Sequence, residues 1–342
     1  MLGDIGAFAI GIVFVTLGAD WLVRGSSRLA ANLGVSDLVV GLTVVAFGTS
    51  APELVVSATA ALNNQPNVAV GNVMGSTVAN VGLIVGLGAL MKPITVHRSL
   101  LVRETPLVIF VLTIVMLLSL NDRLGRIDGL ALVSGFFLYL VFLLRWGGGG
   151  LDRIARAVEA EEAAETAATA DEDVEAPGRR TTKRSPRQST QPLDRRGTIR
   201  ACVSVLVGLP LLLLGADWLI DAALRIAEAF AVPEAVIAAT MIAIGTSLPE
   251  LASTLAAALR GMGDIAIGNV IGSNVFNLGL VLGSAALLRP LELSPQIVIS
   301  QVLPALVFSV VLIPLALTRE RVGRWEGAAL LVGYAGFIVW VL

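Results

Sequence analysis

Ten runs of predominantly apolar residues occupy most of this 342-residue chain, and they constrain its fold more than any other feature. A membrane-spanning helix needs about 20 apolar residues, because the bilayer offers no hydrogen-bond partner to unpaired backbone groups. Only 15% of the residues are Asp, Glu, Lys or Arg, against about 25% in a typical soluble domain. The chain is therefore neither an ordinary soluble enzyme nor a disordered protein, and we predict an all-α membrane protein. The predicted spans are 4–24, 38–62, 68–91, 102–120, 126–144, 200–220, 235–259, 265–288, 297–317 and 323–342.

Scarcity of cysteine and histidine limits the chemistry of the chain. The single cysteine, Cys202, excludes a disulfide framework and a cysteine-based zinc site. The single histidine, His97, leaves almost no room for histidine–metal or Ser-His catalysis. The formal net charge of -2 is too small to indicate nucleic-acid binding. We therefore expect no cofactor and no nucleic-acid partner. The expected partner is the lipid bilayer, and no obligate protein partner is evident.

Residues 145–199 interrupt the apolar pattern. Four glycines, Gly147 to Gly150, are followed by an Ala/Glu-rich stretch and then by a basic one. Such a composition cannot bury a core and is typical of disordered segments. We predict a mostly disordered loop between a first unit over residues 1–144 and a second over residues 200–342, each with five transmembrane helices. The loop is interpreted as a solvated tether, with a regulatory segment as the alternative.

The two units repeat one another in sequence. A shift of 197 residues places Gly48-Thr-Ser-Ala-Pro-Glu-Leu on Gly245-Thr-Ser-Leu-Pro-Glu-Leu, and Gly71-Asn-Val-Met-Gly-Ser on Gly268-Asn-Val-Ile-Gly-Ser. Between residues 35 and 93 about 27 of 59 positions are identical, far more than shared apolar composition produces. Because each repeat has an odd number of spans, the second must cross the membrane in the opposite direction. Inverted repeats are typical of secondary transporters, whose substrate site lies at the midplane between them.

Basic residues predict the orientation, because cytoplasmic loops are enriched in Lys and Arg. With both termini outside, the inner loops contain nine Lys and Arg residues besides the 145–199 loop, whereas the outer loops contain four. We predict a multi-pass protein of the cell (plasma) membrane with its termini outside and the 145–199 loop in the cytoplasm.

Two glutamates, Glu53 and Glu250, lie in the middle of predicted spans at equivalent repeat positions. A charged side chain at the bilayer centre costs at least about 2.5–3.5 kcal/mol on insertion scales. A charged residue without a functional role is therefore not expected in the middle of a span. Packing alone does not explain two matched acids that have no basic partner in the midplane. The two carboxylates are therefore candidate ligands for a transported cation.

A pair of hydroxyls and a proline accompany each glutamate. The hydroxyl residues precede the glutamate by four and three positions, which places them on its helix face. The proline cannot donate to the carbonyl group four residues before it, so the helix should break beside its carboxylate and direct freed carbonyl oxygens into the site. These residues are Thr49, Ser50 and Pro52 in the first repeat and Thr246, Ser247 and Pro249 in the second.

The following span of each repeat adds amides and hydroxyls spaced four residues apart, on one helix face. These residues are Asn72, Ser76 and Asn80 in the first repeat and Asn269, Ser273 and Asn277 in the second. Packing explains Asn72 and Asn269 as well as ion binding does, whereas Asn80 and Asn277 favour a ligand role. Carboxylate, hydroxyl, amide and carbonyl oxygens together suit Ca²⁺ and also Na⁺, and competition between these ions for one set of ligands would produce exchange.

The doubled Gly-Thr-Ser-x-Pro-Glu and Gly-Asn-Val-x-Gly-Ser segments resemble the α-repeats of the cation/calcium exchanger (CaCA) superfamily, and most closely its prokaryotic sodium/calcium exchanger branch. The resemblance covers all ten spans. It implies ten helices in two inverted repeats of five, a central Ca²⁺ site with flanking Na⁺ sites, alternating access, and electrogenic exchange of three Na⁺ for one Ca²⁺. By motif position it implies the ligands Glu53, Glu250, Thr49, Ser50, Thr246, Ser247, Ser76, Ser273, Asn80, Asn277 and the carbonyl groups of Ala46 and Ala243.

Three other functions compete with Na⁺/Ca²⁺ exchange. A proton-coupled Ca²⁺ exchanger of the same superfamily typically has an acid where this chain has Gly75 and Gly272. An intramembrane protease needs an Asp pair in a Gly-x-Gly-Asp setting or a Ser-His pair, and neither occurs in the sequence. A passive cation channel could use the same ligands, but two inverted repeats in one chain suit alternating access better. Potassium co-transport is disfavoured, because the potassium-dependent branch has Asp at the position of Asn277.

Overall fold

The computed structural model describes residues 2–33, 35–96, 100–118, 123–146, 195–230, 245–317 and 320–341. The described chain is almost entirely helical. Its helices, numbered in chain order, are α1 (Leu2–Leu33), α2 (Asp37–Thr49), α3 (Ala51–Leu62), α4 (Pro66–Met91), α5 (Leu100–Leu118), α6 (Arg126–Trp146), α7 (Arg195–Ala229), α8 (Leu248–Leu259), α9 (Gly263–Leu288), α10 (Pro295–Ala316) and α11 (Arg324–Val341). Four short strands are β1 (Ile94–Thr95), β2 (Arg123–Leu124), β3 (Leu291–Glu292) and β4 (Arg321–Val322).

Seven of the described helices are long and apolar enough to cross a membrane, and the count is eight if α2 and α3 form one bent span. The chain is therefore a mostly helical, multi-pass membrane protein. The predicted span 235–259 is described only from residue 245 onward and contains α8, a shorter apolar helix. The predicted loop over 145–199 falls largely on residues 147–194, which lie outside the described residues.

Two helices are longer than the apolar runs from which they were predicted. The first run predicts a span over 4–24, but α1 continues to Leu33, and the run over 200–220 lies within α7, which spans Arg195–Ala229. Both helices continue nine residues beyond the predicted spans, because hydropathy marks only the part of a helix that suits hydrocarbon. A helix continues into polar sequence as long as its backbone hydrogen bonds are kept.

The helix that precedes Glu53 is broken at the position that its proline predicts. Between α2 and α3 the chain bends by 47°, and Ser50 is the residue between them. Pro52 occupies the first turn of α3, where its missing N–H group is no loss, since that group would have no intrahelical partner. The bend lets α2 and α3 approach the centre of the protein from different directions.

Helices α4 and α9 form the centre of the fold. In an apolar 18-residue stretch of α9, 94% of the residues are buried inside the protein. The corresponding share is 78% in α4 and 17% in α6. A helix that is apolar on all sides and surrounded by other helices belongs to a core, whereas one with an exposed apolar face suits contact with lipid. The polar residues of α4 and α9 are therefore enclosed by protein.

Glycines allow the central helices to approach each other closely. A Cβ atom added at Gly41 of α2 would lie 2.9 Å from the carbonyl oxygen of Ile265, and one at Gly268 of α9 would lie 2.9 Å from that of Leu38. At Gly272, the added atom would lie 2.7 Å from the backbone of α2. Only a residue without a side chain fits such a crossing. These contacts hold the helix that leads to Glu53 against α9.

A second glycine seam joins α1 to α7. Its members are spaced by seven residues on each helix, and an added Cβ atom would lie 2.9 Å or less from atoms of the opposite helix. They are Gly11, Gly18 and Gly25 of α1 and Gly208 and Gly215 of α7. Arg225 pairs with Asp4 at 2.8 Å near one end of the seam, and Asn32 donates to Thr198 at 2.7 Å near the other. The two long helices therefore pack as a pair.

The short strands connect the two halves of the chain. Strand β1 pairs with β4 and β2 pairs with β3, both antiparallel, so each strand of the first half pairs with one of the second. Strand β3 starts 197 residues after β1, and β4 starts 198 residues after β2, which are the shifts that align the sequence repeats. The two ladders thus make equivalent connections between the halves.

Candidate functional site

The two glutamates each lie in the first turn of a helix, Glu53 in α3 and Glu250 in α8. Both side chains are completely buried. The preceding residues Ser50 and Ser247 have nearly the same backbone angles, φ -86 with ψ 9 and φ -86 with ψ 4, so the chain enters both helices in the same way. The first turn of a helix has unpaired N–H groups and a partial positive charge, which favours an anionic side chain there.

Each carboxylate accepts a hydrogen bond from a serine hydroxyl. Ser50 Oγ donates to Glu250 Oε1 at 2.9 Å, and Ser76 Oγ donates to Glu53 Oε1 at 3.5 Å. Ser247 Oγ donates in turn to Ser76 Oγ at 3.2 Å. The sequence predicts Ser50 and Glu53 on one helix face, but the bend at Ser50 directs its hydroxyl to the glutamate of the other half. The two glutamates therefore belong to one site.

The threonines also contact the opposite half of the chain. Thr49 Oγ1 donates to Asn269 Oδ1, and Thr246 Oγ1 donates to Asn72 Oδ1, both at 3.2 Å. The hydroxyls of Thr246 and Ser76 lie 3.5 Å apart. The hydroxyl residues singled out in the sequence, apart from Ser273, therefore each bond to a residue of the other half of the chain, in one group around Glu53 and another around Glu250.

Asn72 and Asn269 attach each glutamate helix to its neighbour. Asn72 Nδ2 donates to the backbone carbonyl of Glu53 at 3.2 Å and to Ser57 Oγ at 2.9 Å. Asn269 Nδ2 makes the equivalent contact with the carbonyl of Glu250 at 3.4 Å. Because their amide oxygens accept the threonine hydroxyls, both ends of each amide are engaged. Of the two interpretations open from the sequence, these contacts favour packing for both residues.

Asn80 and Asn277 lie where the α-helical backbone of α4 and of α9 changes to a π-helical turn. Each is the first residue of a π-helical turn, Asn80–Val85 and Asn277–Val281. Such turns are rare and are frequently found at functional sites. Both side chains are buried, as is that of Ser273 one turn earlier in α9. Asn80 Nδ2 donates to Asn274 Oδ1 at 2.9 Å, which joins α4 to α9 through their amides.

Several buried polar atoms near the glutamates have no hydrogen-bond partner within the described part of the chain. They are Glu53 Oε2, Glu250 Oε2, Asn80 Oδ1, Ser273 Oγ, Asn274 Nδ2 and both polar atoms of Asn277. A buried polar atom without a partner costs about 1–3 kcal/mol, so proteins seldom collect them without a reason. Five of these seven atoms are oxygens, which can coordinate a cation. The arrangement is suited to a ligand that supplies positive charge.

The charge of the cluster is low for a metal centre. No group of three or more His, Cys, Asp or Glu side chains able to hold a metal ion occurs in the ranges that the structure describes. The cluster has two carboxylates among neutral oxygens, and none of its members is a nitrogen or sulfur ligand of the kind that holds zinc or copper. Hard cations such as Ca²⁺ and Na⁺ match such oxygens.

Of the two carbonyl groups implied as ligands, that of Ala46 lies within the described residues. The carbonyl oxygen of Ala46 accepts the N–H group of Ser50 at 3.0 Å and the hydroxyl of Thr49 at 3.4 Å. Ala243 lies outside the described residues.

Asn274 is a buried polar residue of this cluster that the sequence interpretation missed. Its position in the first repeat is taken by Thr77, so it is absent from the residues that the repeats share. Asn274 lies three residues before Asn277 on one face of α9. The sequence does contain a signal for Asn274, because it is a polar residue on the same helix face as the candidate ligand Asn277. Identity between the repeats does not reveal it, because Thr77 is its counterpart.

Comparison with known proteins gives consistent matches over nearly the whole chain. The family model "Sodium/calcium exchanger protein" matches residues 4–145 and 201–342. The putative antiporter CaxA of Alkalimonas amylolytica is 36% identical over 96% of this chain and 95% of its own. The sodium/calcium exchanger MaX1 of Methanosarcina acetivorans is 31% identical over 96% of both chains.

A solved structure matches over a similar extent. The sodium-calcium exchanger NCX_Mj, soaked with 2.5 mM Na⁺ and 0.1 mM Sr²⁺, superposes with a TM-score of 0.78 at 30% identity. The match covers 99% of this chain and 98% of that chain. Fold and sequence are therefore similar to the same group of proteins.

Proposed function

Because the chain belongs to the sodium/calcium exchanger family, in the prokaryotic branch of the cation/calcium exchanger superfamily, and is a transporter rather than an enzyme, we propose that it exchanges Na⁺ for Ca²⁺ by alternating access. In this proposal the two ions compete for the cluster around Glu53 and Glu250. Ca²⁺ and Na⁺ are the transported substrates, and the membrane is the cell membrane.

One observation carries the proposal. Two fully buried glutamates each accept a hydroxyl hydrogen bond, Glu250 from Ser50 and Glu53 from Ser76, and each keeps one carboxylate oxygen without a partner among the described residues. Uncompensated carboxylates inside a membrane protein are costly, so they are retained where they bind a cation or proton. Two ionised carboxylates balance the charge of one Ca²⁺, and several monovalent ions can take its place. Ca²⁺ takes six to eight oxygen ligands, which the surrounding hydroxyl and amide groups supply.

The proposed ligands follow from motif position and from the hydroxyl contacts around the two glutamates. Glu53 and Glu250 form the central Ca²⁺ site, and the remaining oxygens complete it or form flanking Na⁺ sites. The full proposed set is Glu53, Glu250, Thr49, Ser50, Thr246, Ser247, Ser76, Ser273, Asn80, Asn277 and the carbonyl groups of Ala46 and Ala243.

The proposed architecture has ten transmembrane helices in two inverted repeats, over residues 1–144 and 200–342, with a cytoplasmic loop over 145–199 and both termini outside. Three features support the equivalence of the two repeats. The glutamates occupy equivalent first turns in α3 and α8, the π-helical turns of α4 and α9 recur at the same shift, and the strands of the two halves pair reciprocally.

Cysteine labelling tests this arrangement. Asn63→Cys and Arg180→Cys, each in a Cys202→Ser background, are expected to label from opposite sides of the membrane, with residue 63 outside. Asn63 suits the test because it is exposed and has an ordinary φ of -80, which cysteine adopts freely. Labelling of both from the same side in intact cells would contradict the five-plus-five inverted arrangement.

Ca²⁺ uptake into Na⁺-loaded proteoliposomes tests the function. Uptake is expected when external Na⁺ is low and should stop when Na⁺ is equal on both sides, because the Na⁺ gradient is the driving force. External K⁺ and pH are varied separately. Uptake driven by a pH gradient without Na⁺ would favour the proton-coupled alternative, and uptake that needs no counter-ion would favour a channel.

A further inference from the structure

We propose that Asn274 is a positioning residue: it fixes the amide of Asn80 so that the carbonyl oxygen of Asn80 is available to the transported ion. The proposal rests on the proposed exchange function and concerns how one of its ligands is prepared. It also makes the two repeats unequal, since the residue at the equivalent place in the first repeat does not act in this way.

In the structure the contact between the two amides runs from the nitrogen of Asn80 to the oxygen of Asn274. Asn80 Nδ2 donates to Asn274 Oδ1 at 2.9 Å, and both side chains are buried. An asparagine amide has a donor end and an acceptor end, and fixing the donor end leaves the oxygen facing away from the partner. Asn80 Oδ1 is one of the buried atoms for which the described chain offers no hydrogen-bond donor. The contact therefore holds an amide oxygen ready to bind a cation.

The equivalent position in the first repeat lacks this function. Thr77 replaces Asn274, and its hydroxyl donates to the carbonyl of Val73 in its own helix at 2.9 Å. Asn277, which corresponds to Asn80, has neither polar atom paired within the residues that the structure covers. The two equivalent amides thus differ: Asn80 is oriented by its neighbour, whereas Asn277 is free to turn either its oxygen or its nitrogen toward the site.

The different orientation of the Asn80 and Asn277 amides should affect how much each contributes to ion affinity. An amide that is already oriented loses less conformational freedom when an ion binds than one that can rotate. Orientation also prevents the donor end of Asn80 from facing the ion, where it would repel positive charge. We therefore expect Asn80 to contribute to ion affinity through Asn274, and Asn277 to contribute independently of it.

The test replaces Asn274 by the residue that the first repeat has at this position. In Asn274→Thr the new hydroxyl is expected to bond to its own helix, as that of Thr77 does, and to release Asn80. The KM for Ca²⁺ should rise roughly 3- to 10-fold, the range that one hydrogen bond supplies, with the maximal rate little changed. Asn274→Ala serves as a second variant if the threonine does not fit. Thr77→Val is the matched control and should leave KM within about twofold.

Double variants distinguish positioning from a general packing effect. Asn274→Thr is expected to add nothing in an Asn80→Ala background, because the amide through which it acts is gone. In an Asn277→Ala background it should keep its full effect. An equal rise in KM in the wild-type, Asn80→Ala and Asn277→Ala backgrounds would overturn the proposal. So would an unchanged KM in both Asn274 variants. A wild-type protein without Na⁺-dependent Ca²⁺ uptake would instead overturn the proposed function, so the two failures are distinguishable.

Discussion

Glu53→Gln and Glu250→Gln are each expected to reduce Na⁺-driven Ca²⁺ uptake more than about 100-fold. Either change leaves one carboxylate to balance two positive charges in a buried site. Removing one partner of a buried charge pair costs about 3–5 kcal/mol, and each 1.4 kcal/mol is a factor of ten in affinity. Because glutamine has nearly the same shape as glutamate, the helices should still pack. Uptake of ⁴⁵Ca²⁺ by reconstituted protein, normalised to the folded fraction from size-exclusion chromatography, measures the effect.

Glu104→Gln is the matched control. Glu104 is as completely buried as the two site glutamates but lies at the start of α5, where its carboxylate accepts from Arg103 Nε at 2.6 Å. The glutamine oxygen can accept the same bond, and the Arg103 side chain is 26% exposed, so water can solvate its charge; this variant should therefore fold and keep most of its transport. Near-normal exchange by Glu53→Gln or Glu250→Gln would exclude these residues as the central ligands. Loss of transport in a folded Glu104→Gln protein would show that removing any buried carboxylate is sufficient.

A membrane potential of 100 mV, negative inside proteoliposomes, is expected to lower the luminal Ca²⁺ concentration at equilibrium roughly 40- to 50-fold. With three Na⁺ exchanged for each Ca²⁺, one net positive charge enters for every Ca²⁺ that leaves. Moving one charge through 100 mV is worth about 2.3 kcal/mol, which corresponds to that factor. The proposal is motivated by two buried glutamates in the site and by Asn instead of Asp at position 277. A trapped Ca²⁺ indicator, with equal Na⁺ on both sides and a valinomycin-induced K⁺ potential, measures the shift.

The direction of this shift separates the competing mechanisms. An electroneutral exchanger would leave luminal Ca²⁺ unchanged, and this result would contradict electrogenic coupling. A passive channel would move Ca²⁺ the other way, because a negative interior attracts the divalent cation. Vesicles without valinomycin, and vesicles that contain the Glu53→Gln protein, are the controls and should show no response to the K⁺ gradient.

The positions of the two glutamates in the fold could be predicted from the sequence because the reasons are local. Pro52 lacks an N–H group whatever its surroundings, so a break beside Glu53 follows from covalent structure. A carboxylate in an apolar run is costly wherever the run packs, so composition alone predicts a functional role for it. The repeat then locates the second glutamate without any knowledge of the fold.

The partners of these side chains could not be predicted in the same way. The spacing of Ser50 and Glu53 suggests that they share a helix face, yet the hydroxyl of Ser50 contacts Glu250, which is 200 residues away. The same limit applies to Asn72, for which the sequence leaves packing and coordination equally open. Its amide is engaged at both ends by groups from different helices.

The amino-acid sequence by itself determined a helical membrane protein, its sequence repeat, the break beside Pro52 and the two acids, since these depend on hydrophobicity and on the covalent properties of single residues. Only the tertiary structure decided which hydroxyl meets which carboxylate and that the amides of Asn80 and Asn274 are in contact. Those contacts depend on how far each helix is rotated and where it crosses its neighbours. Close approach at glycines such as Gly268 and Gly272 sets these crossings, and a change of one turn in the packing would exchange every partner.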